Sequence, residues 1–244
     1  IEIQDFGNET VFKTLKKKGK NKLSYFNRII KLLIQIQSIK HRKVKNFRNQ
    51  NYIIPKYDKK ILINEANLFC DWYAKNNLSK LRKKRFCKKF KKIIKELTLK
   101  LKLKDNIFVH RDFHVSNLMS VKNQIGLIDS QDALIGNKAY DLASLIDDVR
   151  LKTSYSFKEK IFKFYIKKQK NLDIKKFKND FEILSVLRNL KIIGIFTRLA
   201  LRDRKKNYLR FIPYTWQLIN MRIDQNRTFI DLKNLLSQNF KKIK

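Results

Sequence analysis

The stretch NRIIKLLIQIQSI, residues 27–39, places Ile29, Leu32, Leu33 and Ile36 on one side of a helical wheel, behind an Asn27 suited to capping. The same periodicity predicts a helix over 64–77, with Glu65, Phe69, Trp72, Tyr73 and Asn76 on one stripe. Another runs from 80 to about 103, burying Phe86, Phe90, Ile93, Ile94, Leu97 and Leu101 and turning lysines outward. AYDLASLIDDV sets Leu142, Leu145, Ile146 and Val149 at i, i+3, i+4 and i+7, and the tail from about 157 to 241 continues as helices with breaks near Asn171 and Pro213. Only 105–132 departs from this rhythm. It reads as strand, loop, strand, turn, strand: IFV, then polar HRDFHVSN, LMSV, a KNQ turn and IGLID.

Composition adjusts this picture in three places. The chain has 244 residues, 43% of them hydrophobic, enough for a sizeable core, and no Pro/Gly/Ser-rich linker divides it. Its formal charge of +37 ordinarily points to polyanions, but the lysines run through nearly every segment and are read as composition, so no specific nucleic-acid partner is expected. The 80–103 helix is the best place for a membrane-surface or RNA-facing element, against the plainer reading of a solvated lysine face. Cys70 and Cys87 form no CxxC and are read as buried thiols. The apolar runs fall short of a membrane span, and a cytoplasmic setting is expected. Gly7, Gly19, Gly126, Gly136 and Gly194 are too dispersed for any glycine-rich phosphate cradle.

The chemistry concentrates in FVHRDFHVSNLMSVKNQIGLIDSQDA, residues 108–133. Phosphoryl transfer from a nucleotide needs a carboxylate that takes the proton of the attacking hydroxyl, and hard oxygen ligands that hold Mg²⁺ against the phosphates. The kinase catalytic loop supplies these as HRD, four residues and Asn, with an Asp on a later strand. Here His110, Arg111 and Asp112 are followed by Asn117 and then Asp129. A tight hairpin between the last two brings Asn117, at the start of one strand, beside Asp129, at the end of its partner. Asp112 is thus the candidate base, and Asn117 and Asp129 the candidate Mg²⁺ ligands.

HRDFHVSNLM followed by GLIDSQDALIGNKAYDLASLIDD resembles the aminoglycoside phosphotransferase and choline kinase superfamily. IDSQDA, ANLFCDWY and RNLKIIGIFTRLALRDRKKNYL are similar to motifs of bacterial kinases that phosphorylate the anomeric hydroxyl of N-acetylmuramate and N-acetylglucosamine. The family has an aromatic where Ser130 stands here. The resemblance implies an α+β, protein-kinase-like fold, of which this chain is mainly the helical C-terminal lobe with a small catalytic hairpin. It implies ATP and Mg²⁺ as donor and cofactor, an amino-sugar substrate, and IEIQDFG as a hinge: residues 1–14 would be the remnant joining a missing N-terminal nucleotide lobe to the catalytic and substrate lobe at 15–244. A monomer is expected.

Other side chains keep two readings. Asp132 suits substrate, a second metal or a structural role. Arg198 and Arg202, one turn apart, suit a substrate carboxylate or phosphate, or plain solvent. Trp72 and Tyr73 are read as core rather than as a sugar platform. His110, His114 and Asp141 are read as support for the catalytic loop. The competing functions are a choline- or aminoglycoside-type kinase of the same superfamily, and a basic RNA- or membrane-binding protein that keeps a kinase-like lobe. The intact Asp112, Asn117 and Asp129 set weighs against the second. A lobe that carries metal ligands but half a nucleotide cleft lacks productive ATP geometry. The 244 residues are therefore expected to give no sugar-dependent ADP release, and a form extended upstream of Ile1 to restore it; equal rates would overturn the truncated-lobe expectation.

Overall fold

The computed structural model describes residues 5–17, 21–40, 42–122 and 124–240. The chain divides into two compact units, Ile1–Tyr57 with Leu103–Phe177 and Asp58–Lys102 with Lys178–Lys244, so it leaves the first unit and later returns to it. In order the helices and strands are α1 (Val11–Lys16), α2 (Lys22–Gln37), β1 (Lys43–Lys45), β2 (Asn51–Ile53), α3 (Lys59–Leu68), α4 (Lys75–Asn77) and α5 (Lys80–Leu99). There follow β3 (Asp105–Val109), β4 (Leu118–Val121), β5 (Gln124–Leu127), β6 (Leu134–Asn137), α6 (Ala139–Ile146), α7 (Tyr155–Lys167), α8 (Ile174–Leu201), α9 (Ile212–Ile223) and α10 (Ile230–Asn239). The mixed α+β class expected of a kinase-like fold is what the chain adopts.

In the first unit α2 begins six residues before the start that an Asn27 cap would give, because Asn21 caps it, its side chain accepting from Ser24 N at 3.1 Å. The buried stripe shifts with it to Phe26, Ile29, Ile30, Leu33 and Ile36, while Leu32 is half-buried. Gln37, at the end of α2, ties two other elements together. Its Nε2 donates to Lys138 O at 2.9 Å, and its Oε1 accepts from Tyr165 OH of α7 at 2.6 Å. Every residue of α6 is buried, as its apolar sequence requires of a helix without a solvent face.

The strands form three antiparallel pairs: β1–β2, β3–β6 and β4–β5. The sequence reading anticipated β3, β4 and β5; β6, a short LIGN run, and the β1–β2 hairpin gave no signal. The expected hinge lies partly outside the described residues, which omit 1–4. Of the rest, Ser120 N donates to Glu9 O at 2.7 Å and Thr10 bridges Met119, which lays residues 9–10 along the edge of β4 before α1 begins.

In the second unit Asp58 caps α3 by accepting from Ile61 N at 2.9 Å, so this helix too starts earlier than its periodicity indicated, and Phe69–Ala74 widens into a π-helical turn. That turn sets Phe69 in an aromatic cluster: Phe90 and Phe240 lie at 5.5 Å, Trp216 at 5.7 Å and Phe86 at 6.0 Å from its ring. Tyr73 joins it and accepts from Trp216 Nε1 at 3.2 Å, which makes it part of the core rather than an open sugar platform. Cys70 is buried and Cys87 half-buried, and burial raises the Cys70 thiol pKa. The break expected near Pro213 is present, since α8 ends at Leu201 and α9 begins at Ile212, and Pro213 opens the later helix. It sits in the first turn of α9, where its missing N–H has no helical partner to lose. No helix among the described residues is long and apolar enough to cross a membrane.

Of the described glycines the most closely approached is Gly194 of α8, where a Cβ would stand 2.3 Å from the Leu68 carbonyl carbon and 2.7 Å from Phe69 N. Backbone cannot yield as a flexible side chain does. Gly194→Ala is expected to lower stability by about 1–3 kcal/mol, read as a fall in the urea midpoint at unchanged slope; an unchanged midpoint would show that the crossing relaxes freely.

Candidate active site

The polar segment after β3 is suspended from two buried carboxylates, one in the first turn of α6 and one just past its end. Asp141, in its first turn, accepts from His110 N at 2.7 Å and Arg111 N at 3.0 Å, one oxygen to each amide. Asp148, just past its end, accepts from Val115 N at 3.2 Å. Between these anchors Phe113 and Val115 are fully buried, which leaves Asp112 half-buried. Arg111 takes φ +73°, the left-handed region, so the chain reverses sharply next to Asp112. The turn closes on itself: His114 N donates to Asp112 O at 3.0 Å and Asn117 N to His114 O at 2.9 Å.

The β4–β5 hairpin then delivers the second half. Leu118 pairs with Leu127, and Ile128 N donates to Asn117 O at 3.1 Å, one rung further. Asn117 and Asp129 therefore stand together at the open end: Asn117 Nδ2 donates to Asp112 O at 3.1 Å and reaches Asp129 Oδ2 at 3.4 Å. Gln131 Nε2 donates to the other oxygen, Asp129 Oδ1, at 2.5 Å. Asp129 is exposed and has φ +69°, a conformation uncommon outside glycine. An exposed carboxylate beside an amide, with the amide's nitrogen turned to Asp112 O and its Oδ1 not used in those bonds, is a hard-oxygen set that suits Mg²⁺. The residues present thus fit the ion.

His110 links the two halves. Its ring is buried, and Nε2 lies 3.1 Å from the Ile128 carbonyl oxygen, an acceptor, so Nε2 carries the proton. Nδ1 has no hydrogen-bond partner among the described residues, so a second proton there would be buried and unmet. Burial accordingly pulls the His110 pKa below its usual value, against the Ile128 carbonyl, Asp112 and Asp129, which favour the charged form. His114 is buried in the same loop.

Asp132 is exposed, and its backbone carbonyl accepts from Arg111 Nη1 at 3.1 Å. Arg198 and Arg202 belong to the other unit. Arg202 is exposed and engaged by Asp203, Nε to Oδ1 at 2.7 Å and Nη2 to Oδ2 at 3.0 Å, while Arg198 is half-buried. Three contributors escaped the sequence reading. Asp148 had a visible signal, the paired acids of LIDD; Gln131 sat inside the quoted IDSQD; Tyr57, whose ring lies 5.3 Å from the Arg111 guanidinium, had none.

Residues 20–172 match the Phosphotransferase enzyme family. The chain belongs to that family. Among its curated relatives are the N-acetylmuramate/N-acetylglucosamine kinases of Neisseria meningitidis, 32% identical over 66% of this chain and 50% of that protein, and of Pseudomonas aeruginosa, 29% identical over 76% and 56%. The Caulobacter vibrioides protein of the same name is 25% identical over 90% of this chain and 61% of its own length. The chain thus spans about half to three-fifths of the relatives it matches. Solved structures with a similar fold include Plasmodium vivax ethanolamine kinase, at TM-score 0.58, 13% identity and coverage of 88% of this chain and 63% of that one. Choline kinase from Cryptosporidium parvum gives 0.55 and 16%, covering 100% and 74%.

In this member of the family the neutral His110 makes stability pH-dependent. Because its folded pKa lies below its unfolded one, the unfolded chain binds the extra proton first, so stability is full above the usual imidazole pKa and falls as pH drops through it. His110→Gln, which keeps a donor for Ile128 O, is expected to lose less stability than the parent between neutral and mildly acidic pH. Parallel urea midpoints for the two across that range would remove His110 as the source.

Proposed function

We propose that the complete protein transfers the γ-phosphoryl group of ATP to the anomeric hydroxyl of a cell-wall amino sugar, N-acetylmuramate or N-acetylglucosamine. The observation that carries the phosphotransfer reading is Asn117, whose side-chain nitrogen reaches both the Asp112 carbonyl and the Asp129 carboxylate and so gathers base and metal ligands at one hairpin end. The substrate class rests on the names of the relatives at 25–32% identity.

In this reading the Asp112 carboxylate orients the sugar hydroxyl and accepts its proton as the oxygen attacks phosphorus. The bond from the γ-phosphorus to the bridging oxygen breaks, ADP leaves with that oxygen, and the proton passes from Asp112 to solvent. Asn117 Oδ1 and the Asp129 carboxylate are the groups that would hold Mg²⁺, which neutralises phosphate charge when bound. Asp141 and Asp148 fix the loop so that Asp112 needs little reorganisation. Asp132 is kept as a candidate substrate contact. Arg202 is a weaker one, since Asp203 already occupies its guanidinium; Arg198 Nε has no hydrogen-bond partner among the described residues.

In the full-length enzyme, Asp112→Asn is expected to cut kcat by about 10²–10⁴-fold while nucleotide affinity holds, whereas Asp129→Ala weakens Mg²⁺-ATP binding as well. Steady-state kinetics on both sugars, with calorimetric titration of nucleotide, separate the two. Near-normal turnover by Asp112→Asn would remove Asp112 as the base.

A further inference from the structure

The β1–β2 hairpin contributes nothing to the site described above, yet it is built with care. All six strand residues are exposed, and the turn between them is held by its own side chains. Asn46 Oδ1 accepts from Arg48 N at 2.9 Å and Gln50 N at 3.0 Å, its Nδ2 donates to Gln50 Oε1 at 3.0 Å, and Asn49 takes φ +58°. At the base Ile54 N donates to Arg42 O at 2.9 Å, and the chain beyond is clamped to β6, with Ile135 N donating to Pro55 O and Tyr57 N to Ile135 O, both at 2.8 Å. A two-stranded hairpin in water is marginal unless something covers it.

The side chains available for covering are apolar and lie in solvent. Phe47, at the turn, is 84% exposed and Ile53 62%, and Val44 and Tyr52 are exposed as a cross-strand pair on one face. Cations surround them: Arg42, Lys43, Lys45 and Arg48, the last with its guanidinium 5.2 Å from the Phe47 ring centroid. The sequence carries no Asp or Glu anywhere from Asn21 to Tyr57. An exposed aromatic at the turn and exposed aliphatics along the strands, set among cations with no acid nearby, are complementary to one kind of surface, an apolar layer beneath a sheet of phosphates.

We propose that this hairpin docks the protein onto an anionic lipid bilayer, independently of the phosphotransfer reading. Phe47 and Ile53 enter the boundary between headgroups and acyl chains, while Lys43, Lys45 and Arg48 lie against lipid phosphates with their stems along the apolar layer. Nucleic acid shares the phosphates but offers base faces, on which aromatics stack and aliphatic Val44 and Ile53 gain little.

Because a chain of charge +37 meets any anionic vesicle, the test holds charge constant. The 244-residue chain, a Phe47→Ser/Ile53→Ser double variant and Leu81→Ser, which removes an equally exposed apolar side chain from α5, are sedimented at physiological salt with phosphatidylglycerol–phosphatidylcholine vesicles and with phosphatidylcholine alone. The proposal expects binding to the anionic vesicles only, weakened about ten-fold or more in the double variant and unchanged in Leu81→Ser. It also expects a Phe47→Trp chain to be quenched by lipids brominated in the acyl chains, beyond the signal of Trp72 and Trp216; this readout stands even if the double variant folds poorly. Equal vesicle binding by the double variant, an unquenched Phe47→Trp, or a loss confined to single-stranded RNA binding would each overturn it.

Discussion

The loop that carries Asp112 holds its shape because two buried carboxylates carry it. Asp141 takes the amides of His110 and Arg111, Asp148 takes that of Val115, and Asp112 is strung between the two anchors. Hydrogen bonds to a charged group contribute about 1.5–3 kcal/mol each, and removing the acceptor leaves buried amides unmet. The anchors hold only because the element that carries them is itself fixed. All of α6 is buried, and past its C-terminal end Lys158, 2% exposed, donates to Ile146 O at 2.6 Å and pairs with Asp147 at 3.3 Å. A cation at that end meets the negative pole of the helix and the buried Asp147 carboxylate.

From that rack the rest of the site follows by short connections. Asn117 lies two residues past the Val115 anchor, and the pairing of β4 with β5 fixes where Asp129 arrives. His110 ties back from the other side through the Ile128 carbonyl, next to Asp129, so the Asp112 loop and the β4–β5 hairpin are joined twice. The burial that sets this bond also keeps the imidazole neutral, which suits a linking role better than acid–base chemistry.

Much of this was legible in the sequence because it is local. The Asp112, Asn117 and Asp129 spacing states a loop and a hairpin of fixed length, and the strand signals either side of KNQ are strong. Helix faces were readable from period, but starts were not. Asn21 and Asp58 won the caps of α2 and α3 over later positions, since an N-cap depends on which side chain reaches the free amides and not on where the apolar stripe begins. The aromatic stripe 69–73 was legible as core, though not its partners Trp216 and Phe240 from far along the chain.

The sequence by itself determined the spacing of Asp112, Asn117 and Asp129, the helical character of the chain and the antiparallel hairpin that sets Asn117 beside Asp129, all fixed by contacts within about a dozen residues. Only the tertiary structure decided that Asp141 and Asp148 reach back some thirty residues to hold the loop, that β6 closes on β3, that Arg202 is taken by Asp203, and that Phe47 and Ile53 are left in solvent. The reason is physical. Periodicity and spacing report on a chain's own turn of helix or strand, whereas a buried amide finds its acceptor, and an apolar side chain its cover, only once distant segments have been brought together.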